Sequence, residues 1–164
     1  LDMAFTRKDL LARLDALGIL TTTVDHPAVF TVKESKRLRG DLLGAHTKNL
    51  FLKDKKDRLW LVVALEDKDV DLKALRKEIG AAQLSFGKPD LLSRILGLEP
   101  GSVTPFGVIN DADRQVTVIL DKGLLAFDTL NFHPLTNTAT TQITPEGLLA
   151  FLSDTRHEPT IIAF

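Results

Sequence analysis

Four short segments carry residue types that can do chemistry. The first is Thr47-Lys48-Asn49-Leu50-Phe51, a lysine at the mouth of a predicted strand. An ammonium there can hold an anionic group or polarise a carbonyl; the ordinary alternative is a surface lysine beside a loop. The second is Glu99-Pro100-Gly101-Ser102-Val103-Thr104-Pro105-Phe106-Gly107. Its prolines and glycines fix an unusual backbone between a helix and a strand, able to aim amide N–H groups at a carbonyl or a water. Ser102 and Thr104 add hydroxyls, and a purely structural turn is the alternative. The third is Phe132-His133-Pro134-Leu135-Thr136-Asn137-Thr138. A histidine pinned by a proline among polar neighbours can act as acid, base or hydrogen-bond donor, or can simply be satisfied beside a turn. The fourth is His26-Pro27-Ala28-Val29-Phe30, in which Phe30 either stacks on a base or ribose or packs in the core.

Other chemistries lack their residues. Cysteine is absent from the 164 residues, which removes disulfides, thiolate nucleophiles and cysteine-ligated metals, and suits a reducing cytoplasm. His26, His46, His133 and His157 are scattered rather than set at metal-ligand spacing, so no metal or other cofactor is expected. There is no G-x-S-x-G elbow, phosphate loop or G-x-G-x-x-G. Asp111 and Asp113, beside Asn110, read as a turn. Asp121, at the end of a strong strand, either orients a pocket residue or caps the turn after it. The longest apolar run, Leu59 to Leu65, is seven residues, against about 20 for a membrane span. The start, Leu1-Asp2-Met3, shows no signal-peptide pattern.

Charge is uneven. The chain's formal charge is -1, yet residues 33–58 hold nine basic and four acidic side chains, and the remainder holds twelve and eighteen. A near-neutral total therefore hides a basic face, which fits local phosphate contact better than bulk coating of nucleic acid. A solvated helix followed by an exposed hairpin would give the same pattern.

These segments need elements to hold them. Thr6 and Asp9 start a helix with Leu10, Leu14 and Leu17 on one face, stopped by Gly18. Thr21 to Val24 predicts a short strand, and Thr31-Val-Lys-Glu34 opens a basic helix to Arg39, after which Gly40 and Gly44 loosen the chain. Lys48–Lys53 and Arg58–Leu65 form a hairpin about Asp54–Asp57, its second strand apolar enough to be buried on both faces. Helices follow at 71–79 and 89–96, ended by Gly80 and Gly97, with a short strand at 83–86 between them. Further strands are predicted at 116–120, 127–130, 138–143 and 160–163, and Thr144 caps a last helix to about Ser153. With 44% apolar residues and no linker, this describes one α+β domain over 1–164, a mixed sheet of six or more strands surrounded by helices.

Taken in order, Val24-x-His26-Pro27-x-Val29-Phe30-Thr31, Thr47-Lys48-Asn49-Leu50-Phe51, Glu99 to Pro105, Phe132-His133-Pro134 and Asn137-Thr138 resemble the YbaK/prolyl-tRNA synthetase-associated editing domain. Within that family the chain is most similar to the freestanding ProX type, which deacylates alanyl-tRNA(Pro). The likeness runs from about residue 20 to about residue 152. It implies an α+β domain on a partly barrel-like mixed sheet, and hydrolysis of the ester of mischarged tRNA(Pro) without a cofactor. It implies that Lys48 is the essential lysine and His133 the histidine of the alanine-specific branch. It also implies a substrate pocket of Phe30, Asn49, Gly101, Ser102, Val103, Thr104, Pro105 and Asn137. Lys33, Lys36, Arg37 and Arg39 can contact the acceptor stem, on a helix that Gly40 and Gly44 would let close. Prolyl-tRNA synthetase or elongation factor is the expected partner in delivering substrate; no membrane or specific DNA is expected. The alternatives are a cysteinyl-tRNA(Pro) deacylase, a non-catalytic tRNA-binding module and a regulatory relative that binds amino acid or uncharged tRNA. With aromatics at 6% and no tyrosine, a stacking platform for single strands is poorly supplied.

Overall fold

The first helix, α1 (Arg7–Ala16), starts where its cap residues dictate: Thr6 Oγ1 accepts from Asp9 N and the Asp9 carboxylate accepts from Thr6 N. Leu10 and Leu14 are buried, but Leu17 is 38% exposed because the helix ends one residue before it. This is a computed structural model describing residues 4–28 and 44–164. The expected basic helix 31–39, with Phe30, Lys33, Lys36, Arg37, Arg39 and Gly40, lies outside the described residues.

The strands form two sheets, not the single sheet expected. β2 (Thr47–Asp54), β3 (Leu59–Leu65), β4 (Leu84–Phe86), β5 (Val116–Asp121) and β8 (Thr160–Ile162) order as β4-β2-β3-β5-β8. In this sheet β3–β5 and β5–β8 are parallel, and β2 pairs antiparallel with β3 and β4. β1 (Thr21–Asp25), β7 (Ala139–Ile143) and β6 (Leu130–Phe132) form a separate antiparallel sheet in the order β1-β7-β6. Neither sheet closes on itself among the described residues. The predicted strand at 127–130 starts instead at Leu130 and runs through Asn131 and Phe132, which pair with Gln142 and Thr141. Residues 127–129 follow a 3-10 helix, Lys122–Ala126, whose cap returns Phe127 N to Leu124 O.

β3 is buried on both faces, as its composition requires. Leu59, Leu61 and Val63 join a large core with α1, α3 (Pro89–Leu96), α4 (Pro145–Asp154), Phe106 and β6. Trp60 and Val62 face the other way, onto Leu75 of α2 (Leu72–Ile79), with Leu52 and Ile119.

Two buried carboxylates, both in segments read as turns, fasten this frame. Asp54 receives Lys56 N and Arg58 N at 2.9 and 3.0 Å, Arg58 Nε and Nη2 at 2.9 and 2.8 Å, and Ala82 N at 3.0 Å. It thus closes the hairpin and pins it to the chain after α2. Asp111 is enclosed too, accepting from Gln115 N, Val116 N and His157 Nε2. Burial alone would raise its pKa, but the His157 bond and the two amides hold it below the ordinary value. Asp121 proves to be a cap, accepting from Gly123 N at 2.9 Å and from Leu65 N at 3.1 Å.

A backbone seam joins the two sheets. Ala45 N donates to Thr129 O at 2.9 Å, and Ala45 O accepts from both Asn131 N and Asn131 Nδ2 at 3.1 Å. Gly44 enters this seam at φ 94°, and a β-carbon there would lie 2.3 Å from Thr129 Oγ1 and 2.8 Å from Thr129 O. Gly44 is therefore a close-approach residue, not the loosening point expected of it.

Asp54 gives a test of the frame. Burial opposes its ionisation, but the Arg58 and Ala82 amides and the Arg58 guanidinium win and lower its pKa from 3.8 to about 2. A carboxylate depressed in the folded state stabilises it fully above the unfolded pKa and loses that contribution as pH falls through the folded one. Asp54→Asn is expected to lower Tm at pH 7 by roughly 5 °C and to flatten the Tm–pH curve between about pH 4 and pH 2. Calorimetry across that range checks both; an unchanged slope would show that the carboxylate does not fasten the hairpin.

Candidate active site

The three-stranded sheet presents one polar face. Its register sets Asn131 beside Gln142 and Gln142 beside Thr22, and Val24 beside Thr140. By strand alternation, His26, Thr140, Gln142, Asn131 and His133 share that face. His26 extends β1 by one rung, donating its amide to Thr138 O at 2.9 Å.

Both histidine rings are held in fixed orientations. His133 Nδ1 lies 3.0 Å from Ala139 O, and a carbonyl can only accept, so Nδ1 carries the hydrogen. By the same argument His26 Nδ1 donates to Pro27 O at 2.8 Å, while Nε2 sits 2.8 Å from Thr140 Oγ1. The rings meet edge to face with centroids 6.3 Å apart. Burial pushes the His133 pKa below 6.5; the Ala139 bond opposes this and the charge of His26 adds to it. His133 is thus neutral at pH 7, and its Nε2 is a lone-pair acceptor with no hydrogen-bond partner among the described residues.

The mouth of β2 adjoins this face through the seam. Thr47 Oγ1 donates to Asn131 O at 3.3 Å, and Asn49 Nδ2 donates to Thr47 Oγ1 at 3.3 Å. Asn49 Oδ1 is buried and accepts no hydrogen bond. An enclosed acceptor left this way costs about 1–3 kcal/mol, which a donor on a ligand would recover. Lys48 is half-buried, and alternation sends its side chain to the opposite face of β2, with Leu50 and Leu52. No carboxylate among the described residues pairs with it. The structure therefore links Asn49, Thr47 and the Asn131 carbonyl by hydrogen bonds, places His133 two residues beyond Asn131 on the same strand face, and sets Lys48 on the other face of the β2 mouth.

The Gly101–Pro105 segment bridges two 3-10 turns, Pro100–Ser102 and Pro105–Asn110, through an extended Val103-Thr104 link. Ser102 is buried, with its amide donated to Glu99 O at 2.9 Å. Thr104 is fully buried, and its hydroxyl caps Phe106 N at 3.3 Å. Pro105 is buried, and Val103 is half-buried against the large core. Phe106 packs edge-on against Phe132, centroids 5.8 Å apart, which anchors the segment to the strand that leads into His133. Asn137 is half-buried in the turn between β6 and β7.

His26 is the residue that sequence reasoning passed over, since its segment was read for Phe30. The His-Pro pair at a strand end was visible; that it meets Thr140 and His133 depends on the β1–β7 register. The Asp111–His157 pair lies apart from this face and is enclosed by the fold. Among the described residues, no three histidine, aspartate or glutamate side chains are grouped to hold a metal ion, and no helix is long and apolar enough to cross a membrane.

Residues 26–151 match the model of the aminoacyl-tRNA editing domain. Prolyl-tRNA synthetase associated domain-containing protein 1 of Danio rerio is 42% identical over 160 residues, covering 96% of this chain and 87% of that protein. The prolyl-tRNA editing protein ProX of Acetoanaerobium sticklandii is 39% identical over 143 residues, covering 87% of each. A crystal structure of a candidate trans-editing enzyme for prolyl tRNA synthetase shares the fold, with TM-score 0.75 at 21% identity over 99% of this chain and 98% of that one. The polar face with its two fixed histidines, the mouth of β2 and the Gly101–Pro105 turns all lie inside the matched span, and the chain belongs to the aminoacyl-tRNA editing domain family.

Proposed function

We propose that this protein hydrolyses the ester bond of alanyl-tRNA(Pro), releasing alanine and tRNA(Pro). The observation that carries the reading is the pair of unclaimed acceptors: Asn49 Oδ1, on a side chain tied through Thr47 to the Asn131 carbonyl, and neutral His133 Nε2, two residues beyond Asn131. An aminoacyl ester brings donors that such a site lacks: an α-ammonium group, a free ribose hydroxyl and an attacking water.

The ester is already activated, so hydrolysis needs no protein nucleophile, and a chain without cysteine is not handicapped. Water adds to the carbonyl, the tetrahedral oxyanion collapses, and the ribose oxygen leaves with a proton. The site's work is positioning and charge stabilisation. In this reading Asn49 Oδ1 accepts from the α-ammonium, and His133 Nε2 accepts from the water. The Lys48 ammonium holds the terminal phosphate or the developing oxyanion. The Gly101–Pro105 turns supply amide donors other than Ser102 N, which Glu99 O already occupies. Alanine is preferred over proline by exclusion, because a rigid wall rejects a larger side chain more strongly than lost burial penalises a smaller one. His26 keeps the His133 ring in place through ring contact.

Two experiments test this. In single-turnover deacylation of alanyl-, cysteinyl- and prolyl-tRNA(Pro), rapid loss is expected from the alanyl substrate alone. Lys48→Ala is expected to slow it by roughly 10²–10³-fold without altering Tm. Hydrolysis of none of the three would overturn the reading and leave a binding module; faster release of cysteine would move the substrate to that amino acid.

The second is the pH dependence. The folded pKa of His133 lies below its ordinary value, so the acceptor is intact at neutral pH and is lost only as pH falls through that lowered pKa. The alanyl-tRNA(Pro) rate is expected to be flat from pH 7.5 to pH 6.5 and to fall in more acid solution. His133→Gln is expected to be slower and to lose that limb. A wild-type rate that rises as the histidine protonates would contradict an acceptor role.

A further inference from the structure

The end of the molecule remote from the ester site carries a concentrated positive charge that the reading above does not use. The β2–β3 hairpin brings Lys53, Lys55, Lys56 and Arg58 together. It is tied to the C-terminal end of α2, which adds Arg76 and Lys77: Arg58 Nη2 donates to Gly80 O at 3.3 Å, and Ala82 N donates to Asp54 Oδ2 at 3.0 Å. Three carboxylates lie among these six cations. Asp54 is fully enclosed, and Arg58 and three backbone amides occupy it. Asp57 sits 3.7 Å from Lys53, and Glu78 is exposed on α2. Lys55, Lys56, Arg76 and Lys77 have no carboxylate partner among the described residues. Beside them a cleft of about 270 Å³, lined by Lys53, Lys55, Gln83 and Ser85 with Asp54 and Asp57, offers cations and neutral hydrogen-bonding groups at one opening.

We propose that this hairpin end is a docking surface for the sugar–phosphate backbone of the tRNA acceptor stem, an inference that rests on the tRNA substrate of the reading above. Distance supports RNA as the occupant. Lys48 and Lys55 lie on or just past one continuous strand, and seven steps at about 3.3 Å set them about 23 Å apart. A stacked RNA strand in A-form geometry advances roughly 3 Å per residue, a little less than the about 3.4 Å of B-form DNA, so with its aminoacyl end at Lys48 about the seventh or eighth phosphate reaches the hairpin. That point lies past the unpaired 3′ end, within the duplex. The strand is fixed at both ends, by the seam and by Asp54, so the separation between ester site and cations is built in. The contact is with phosphate and carries no base sequence.

The test uses the full chain with the exposed pair reversed, Lys55→Glu/Lys56→Glu, and with Lys77→Glu as an independent change on α2. Affinity for uncharged tRNA(Pro) is measured at several salt concentrations, and hydrolysis of alanyl-tRNA(Pro) is compared with that of 3′-alanyl-adenosine. The double variant is expected to bind tRNA about tenfold or more weakly at 0.1 M salt, with a salt slope shallower by about 2. Lys77→Glu is expected to shift both in the same direction by about half as much. Hydrolysis of 3′-alanyl-adenosine is expected to be unchanged by either. An unmoved affinity and slope would overturn the proposal and leave an acidic protein as the partner for these cations. Equal losses on both ester substrates would also overturn it, because they would report damage to the site. The two readings separate cleanly: charge-dependent tRNA binding without any hydrolysis keeps the surface and sinks the editing reaction, whereas hydrolysis with an unmoved salt slope does the reverse.

Discussion

Gly44 and Ala45 are where two sheets become one frame. A single carbonyl, Ala45 O, accepts from both the backbone and the side chain of Asn131, while Ala45 N reaches back to Thr129 O. Only a residue without a β-carbon allows that approach, since any other would place an atom 2.3 Å from the Thr129 hydroxyl. Everything at the candidate site hangs from this contact. Asn131 leads through Phe132 to His133, and its carbonyl receives Thr47, which in turn holds Asn49. Were the seam to open, the histidine face and the mouth of β2 would belong to different sheets held together by the shared core, without the backbone register that now fixes their separation.

The electrostatics of the site follow from where solvent is excluded. Burial favours neutral groups, and the side chains at the seam, Thr47, Asn49, Asn131 and His133, are neutral acceptors and donors. Charge sits at the edges: Lys48 at the mouth of the strand, and the lysines of the hairpin in solvent. An ester whose transition state develops one negative oxygen is suited by this division. In the proposed reaction a neutral interior would orient the ester, and the Lys48 ammonium, which no carboxylate among the described residues compensates, would meet the new charge.

Much of this was legible in the sequence because it is local. Helix caps at Thr6 and Thr144 are set by residues within three positions, and both form. The apolar run of β3 could only be a strand buried on both faces. The four chemistry-bearing segments were visible as composition, and three of them meet around the seam. What could not be read was pairing. Whether Asn131 and Phe132 belong to a strand or a loop depends on Gln142 and Thr141 lying opposite them. That same register decides that His26 shares a face with His133. The Asp111–His157 bond joins residues 46 apart in a chain that offered no periodic signal for it. The division into two sheets is likewise long-range, carried by one glycine whose necessity shows only when Thr129 is placed against it.

The uneven charge of the chain acquires a physical meaning once Asp54 is seen. Counted along the sequence, Asp54 offsets one of the hairpin's cations; in the fold it is fully enclosed and occupied by five donors, three of them from Arg58. Asp54 and Arg58 offset each other, so the field that an approaching polyanion meets comes from the lysines beside them, of which Lys55 and Lys56 are exposed and have no carboxylate partner among the described residues. Arg58 is thereby engaged in closing the hairpin, and the lysines give that end its charge. One ion pair thus fixes the far end of a strand whose length separates the neutral candidate site from a cationic end.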